Sequence, residues 1–162
     1  MLPMNLSYCG IIVADFSSNT SMYKQLIRTQ DQALCHLYFH CCLKDGVLSE
    51  AETDGLAERF VTLGMQKNLN FKDEMDAYKL YRKDIEDETL YLEYLANLIR
   101  PANGLALYSH CVELTVSDEL LDESEESLLK KIATILKIEE AKQQTIQRLM
   151  VERKVVETKK IM

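Results

Sequence analysis

Two short acidic stretches stand 73 residues apart in this chain: Asp45-Gly46-Val47-Leu48-Ser49-Glu50-Ala51-Glu52 and Asp118-Glu119-Leu120-Leu121-Asp122-Glu123-Ser124-Glu125. The same shift sets Gln32-Ala33-Leu34 on Leu105-Ala106-Leu107, Leu56 on Leu129 and Leu63 on Leu136. Both halves read helix, D-x-x-L-x-E-x-E turn, helix. Oxygen-rich turns between helices hold hard divalent cations through carboxylates, backbone carbonyls and water. The stretch from Asp45 lacks the alternating Asp/Asn of a 12-residue calcium loop, so it is not an EF-hand. Two half-sites can still meet if the repeats pack about a pseudo-twofold axis. That makes Asp45, Glu52, Asp118 and Glu125 the candidate ligands of a divalent cation whose identity the spacing leaves open. Helix initiation accounts for part of the pattern: Ser49 and Asp122 suit N-caps, and Glu52 and Glu125 fall at N3, where a carboxylate reaches back to the cap. Glu50 and Glu123 sit in first turns, where the helix dipole favours negative charge. Capping does not require Asp45 or Asp118. A hydrophobic staple does not explain Leu48 or Leu121, because its partner positions hold Thr53 and Glu126.

A second set carries nitrogen and sulfur. His36 and His40 are four apart on one helical face, a spacing that can bind zinc, and Cys35, Cys41, Cys42, His110 and Cys111 add thiols and an imidazole. A metalloprotease needs H-E-x-x-H, yet position 37 is Leu, and no C-x-x-C occurs. His110-Cys111-Val112-Glu113 reverses the order found in di-iron bundles. Each Cys falls inside a helical pattern rather than at a helix N-terminus, where its thiol would be activated. Packing in the core is the stronger reading for these residues. No P-loop, G-x-S-x-G or Rossmann fingerprint is present. Tyr78, Tyr81, Tyr91 and Tyr94 form two i,i+3 pairs, suited either to a partner-binding face or, more commonly, to the rim of a core with hydroxyls in water.

Helices must position these groups. Met22, Leu26, Ala33, Leu34, Leu37 and Cys41 fit one buried face, and that helix should stop near Lys44-Asp45-Gly46. A second helix begins at the Ser49-x-x-Glu52 capping box, buries Leu56, Phe60 and Leu63, and ends at Gly64. Asn70 caps a third over 71–84, and Asp87 caps a fourth that finishes before Pro101. Helices follow near 105–115, 123–137 and 139–158. The expected class is all-α, a compact bundle of about seven helices in two pseudo-repeats of helix–acidic turn–helix. Residues 1–21 read as a poorly determined lead segment, with a natural start at Met22 conceivable, and 22–160 as one helical domain.

The chain has 162 residues, 47% of them hydrophobic and 28% charged, enough for one domain with a real core. Five Gly and two Pro are too few for a sandwich or barrel. Five Cys, an odd number, argue against a disulfide scaffold and for a reducing compartment, the cytoplasm. No apolar run is long enough to span a membrane, and no Lys or Arg precedes Lys24 to lead a secretory signal. Residues 1–126 hold 22 acidic and 10 basic side chains, whereas 127–162 hold 4 and 9. Most of this surface repels nucleic acid. The basic C-terminal helix could touch an acidic partner or an anionic membrane, or simply be a solvated face.

The motif from Lys44 to Glu52, after a helix rich in small and apolar residues, resembles the D-G-x-[IL]-[ST]-x-x-E signature of the TerB-like tellurite-resistance family. The likeness covers roughly 22–150, and Glu119 replaces the motif glycine in the second copy. The resemblance implies an all-helical fold of two pseudo-repeats. It also implies acidic residues that chelate metal, here Asp45, Glu52, Asp118 and Glu125, and a link with membrane-associated stress-response complexes. The expectation is a non-catalytic cytoplasmic stress-response protein that binds a divalent cation and works with a protein partner. A metal-free helical interaction module and, further off, a thiol or zinc enzyme are the other readings.

Overall fold

The computed structural model describes residues 20–43, 50–116 and 121–158. The lead segment read at 1–21 lies, but for Thr20 and Ser21, outside the described residues, and so do Asp45 and Asp118. Among the described residues the structure is helical with no β-strand: α1 Met22–Leu26, α2 Gln30–Leu43, α3 Glu50–Thr62, α4 Phe71–Tyr81, α5 Glu88–Ile99, α6 Gly104–Thr115, α7 Glu123–Ile135 and α8 Glu140–Thr158. No described helix is long and apolar enough to cross a membrane.

The first expected helix divides in two. Ile27 is extended (φ −106°, ψ 111°) and buried. Thr29 then opens α2 with a capping box: its hydroxyl accepts from Gln32 N–H at 3.2 Å, while Gln32 Oε1 accepts from Thr29 N–H at 3.2 Å. Met22 is consequently 40% exposed rather than part of a continuous apolar face. The eight described helices exceed the expected seven for this reason.

Side-chain caps set the later starts. Asn70 accepts from Asp73 N–H, Asp87 from Leu90 N–H, Asn103 from Ala106 N–H and Asp122 from Glu125 N–H. α4 stops as an α-helix at Tyr81 and tightens into a 3-10 turn over Arg82–Asp84, so the expected end at 84 is reached in a different geometry. Leu56 and Phe60 of α3 are buried, but Leu63 is 40% exposed because the helix ends at Thr62. Gly64 follows with φ +72°, the left-handed backbone that glycine adopts at least cost. α7 closes in a Schellman arrangement, with Ile138 N–H on Ala133 O at 2.9 Å and Lys137 in the left-handed region (φ 56°).

α2 is the axis of the bundle. Ala33, Cys35, His36, Leu37, Tyr38, Phe39, His40, Cys41 and Leu43 are all buried, leaving no solvated stripe, the mark of a helix enclosed by others. α5, α6 and α4 make the main walls around it, α3 packs on it more lightly, and α7 closes over α5 and α6. α8 lies against α6.

Gly64 and Lys137, both left-handed, make opposite demands. Gly64→Ala meets nothing within 4 Å, so its cost is purely conformational and should lower stability by about 1 kcal/mol. Lys137→Gly relieves the same strain and should raise stability by up to about 1 kcal/mol. Urea unfolding followed by circular dichroism measures both, and equal midpoints for the two variants would contradict this account.

Candidate functional site

α2 and α6 run side by side in the same direction. Tyr38 Oη meets His110 Nδ1 at 2.9 Å, and one turn further Cys42 Sγ donates to Leu114 O at 3.7 Å. Both partners lie 72 residues along the chain, within one residue of the sequence repeat. The helices therefore end together, at Leu43 and Thr115, where the segments carrying Asp45 and Asp118 depart. α4 points the same way: Gln32 reaches Glu74, His40 reaches Tyr78, and Arg82 Nη1 donates to Leu43 O at 3.2 Å. Helix C-termini expose carbonyls and carry partial negative charge, a setting that favours a cation.

Of the four candidate ligands, two can be placed. Glu52 is exposed in the first turn of α3 and faces the half-buried Cys42 thiol, whose pKa it helps to raise. Glu125 is 7% exposed and completes the α7 capping box, its Oε2 accepting from Asp122 N–H at 3.4 Å while its own N–H donates to Asp122 Oδ1 at 2.7 Å. Asp45 and Asp118 lie outside the described residues, and among the described residues no group of three or more His, Cys, Asp or Glu is arranged to hold a metal ion.

The His, Cys and Tyr set forms a buried polar block. His36 Nε2 donates to Glu74 Oε2 at 2.7 Å, since an ionised carboxylate can only accept. Its Nδ1 meets Tyr81 Oη at 2.6 Å, and Tyr81 Oη meets Tyr91 Oη at 2.6 Å. With a neutral imidazole the protons run one way: Tyr91 to Tyr81, Tyr81 to Nδ1, Nε2 to Glu74. His40 repeats the device, its Nε2 on Glu88 Oε2 and its Nδ1 on Tyr78 Oη, both at 2.9 Å. Lys131 Nζ reaches the other Glu88 oxygen at 2.9 Å. Every imidazole nitrogen of this pair thus has a protein partner, and the i,i+4 spacing serves packing instead of zinc. The tyrosines correct the expectation of a rim: Tyr78, Tyr81 and Tyr91 are at most 1% exposed, because the imidazoles on α2 and a neighbouring phenol satisfy their hydroxyls inside the core. Only Tyr94 sits at the edge, bonding Ile27 O at 2.6 Å.

Burial pushes the Cys35 and Cys42 thiols well above their ordinary range. Cys41 is raised chiefly by a hydrogen bond with the Cys111 thiol and then by burial. A thiol held protonated is a poor nucleophile at neutral pH. Glu74 moves the other way. Burial raises its pKa, but hydrogen bonds from His36 and Gln32 outweigh burial and lower it from its ordinary value. Glu74 also borders an open cleft of about 450 Å³, beside Asp31 and Asp73.

Sequence inspection singled out the histidines and tyrosines but missed Glu74, Glu88 and Lys131. The available signal was the match between an i,i+4 imidazole pair and an i,i+3 phenol pair, each needing a partner if buried together.

Tyr81→Phe strips Nδ1 of His36 and the Tyr91 hydroxyl of their shared partner inside the core. Stability should fall by about 2 kcal/mol, read from chemical denaturation; a loss below about 0.5 kcal/mol would refute the network. Glu74, with its pKa depressed in the folded state, contributes stability present above its unfolded pKa and lost as pH falls through the lower folded value. Glu74→Gln should therefore flatten the acid limb of a melting-temperature profile below about pH 4.5, and an unchanged limb would count against the assignment.

A model of the family described as Tellurite resistance protein TerB matches residues 31–148, from the first turn of α2 to the middle of α8. No curated protein and no solved structure matches the chain. The matched span holds the central helix, both acidic stretches and the helices that surround them. This chain belongs to the TerB family of tellurite-resistance proteins.

Proposed function

We propose that this TerB-family protein is a non-catalytic, cytoplasmic stress-response component that binds a divalent cation at the common end of α2 and α6 and works within a protein complex. The observation that carries the reading is the parallel pairing of these helices, which starts both acidic segments from adjoining points. Asp45, Glu52, Asp118 and Glu125 form a set of hard oxygen donors, suited to a cation such as Ca²⁺, Mg²⁺ or Mn²⁺. Glu125 would exchange its long bond from Asp122 N–H for the cation, while Asp122 keeps the helix capped. The bound cation would supply a fixed positive charge that draws the two segments together. The protonated thiols and the internally bonded imidazoles favour a binding role over nucleophilic chemistry. The four described cysteines are free thiols, which suits a reducing compartment.

One observation favours the metal-free interaction module. Leu149 and Val156 on α8 are 51% and 69% exposed and stand two turns apart on one face, near Arg148 and Glu152. That face, rather than the buried tyrosines, is where such a module would meet a protein partner.

Melting curves of the tag-free chain in EDTA, then with Ca²⁺, Mg²⁺, Mn²⁺ or Zn²⁺ restored, separate the readings. A cation bound only by the folded state should add about 2.7 kcal/mol at a hundredfold excess over Kd, and Asp45→Ala with Asp118→Ala should abolish that gain while helix content survives. Stabilisation by Zn²⁺ alone would redirect attention to the histidines and cysteines. No shift with any cation would leave the carboxylates as helix caps and the interaction module as the better reading.

A further inference from the structure

No position of α8 from Glu140 to Val156 is buried. One flank of the helix lies against α6, where Ile146, Met150 and Val151 pack on the core and Gln147 Nε2 donates to Tyr108 Oη at 2.8 Å. The opposite flank has a repeat of its own. Lys142, Thr145, Leu149, Glu152 and Val156 alternate steps of three and four residues, the spacing of a coiled-coil seam, and all are exposed. Arg148 stands at the edge of this seam, one turn before Glu152. Among the described residues neither Arg148 nor Glu152 makes an ion pair or a side-chain hydrogen bond. Arginine four residues ahead of glutamate is the weaker order for a pair within one helix, so both charges are left for a partner outside it.

We propose that this face of α8 docks on the same face of a second copy of the chain, the two helices antiparallel about a twofold axis beside Leu149. The proposal gives an occupant to the α8 face of the metal-free interaction reading and rests on that reading. Such an axis sets like flanks of the two helices against each other and makes every contact twice. Arg148 and Glu152 share a flank, so each Arg148 meets Glu152 of the partner subunit, with Leu149 on its own copy between the two pairs. The offset between the paired positions is about 3 Å along the helix, well within the reach of an arginine. Lys142 and Arg153 lie on the other flank, where Arg153 is already tied to Glu113 at 3.4 Å. Residues 127–162 hold 9 basic and 4 acidic side chains, against 10 and 22 in residues 1–126. The pairing thus places the basic helices between two acidic bodies and offsets their repulsion. A helix of 19 residues is about 28 Å long, and one helix pair of that length makes a small interface, so the dimer is weak and reversible.

Sedimentation velocity of the full chain, from about 10 μM to about 1 mM, tests this, with circular dichroism checking the helix content of each variant. Wild type should sediment faster as concentration rises, towards twice the monomer mass. Leu149→Glu sets two carboxylates against each other on the axis and should stay monomeric throughout. Arg148→Glu and Glu152→Arg, each of which opposes like charges, should weaken the dimer about tenfold or more. An equimolar mixture of these two variants should recover it, because each then meets the opposite charge at both pairs. All three positions are exposed, so the changes leave the core alone. Wild type that remains monomeric at the highest concentration would overturn the proposal and leave the α8 face to a different protein. A mixture that associates no better than its separate components would overturn the paired charges and the twofold arrangement with them. Dimers that persist in Leu149→Glu would overturn it as well, and would remove this face from the interaction reading.

Discussion

The fold depends on a single constraint: α2 is buried along its length while carrying two imidazoles. A buried polar ring costs roughly 1–3 kcal/mol for each hydrogen-bonding group left unpaired. His36 and His40 therefore fix where phenols and carboxylates must come from. Tyr81 and Glu74 answer His36 from α4, while His40 takes Tyr78 from α4 and Glu88 from α5. No buried side-chain nitrogen or oxygen among the described residues lacks a hydrogen-bond partner. An apolar core tolerates sliding of one helix past another far better than this network does, because a shift of one turn would break four polar contacts at once.

The same network orients the end of α2. α4 is registered on α2 by Tyr78 and Tyr81, so Arg82 arrives at the Leu43 carbonyl as a consequence. α6 is registered by Tyr38 and Cys42, which brings its C-terminus level with that of α2. Three helix ends thus gather at one pole with the first turn of α3. Glu52, in the first turn of α3, acts from there on the Cys42 thiol near the end of α2. Outside the core, Glu113 ties α6 to α3 through Arg59 at 2.8 Å and to α8 through Arg153 at 3.4 Å. These half-exposed pairs brace the outer helices and are each worth little alone.

The cysteines illustrate how burial decides chemistry. Their number and proximity to histidine left a nucleophile conceivable, yet desolvation disfavours the thiolate wherever no cation compensates. His110 is lowered by burial and by Arg59, so it stays a neutral partner for Tyr38. The thiols behave as small apolar side chains that let α2 and α6 approach closely.

By itself the sequence determined the helical class, the positions of Asn70, Asp87 and Asp122 at helix starts, the stop at Gly64 and the family signature around Asp45. These are local matters, set by side chains bonding backbone within four residues or by the φ a residue tolerates. The break at Ile27 was legible too, in Thr29-x-x-Gln32, but it was masked by an apolar spacing that runs across it. Tertiary structure alone decided that the tyrosines face inward, that Glu74, Glu88 and Lys131 belong with the histidines, and that α2 and α6 lie parallel. Those outcomes depend on which distant groups meet, and a buried hydroxyl or imidazole reveals its partner only when the chain has brought one within hydrogen-bonding reach.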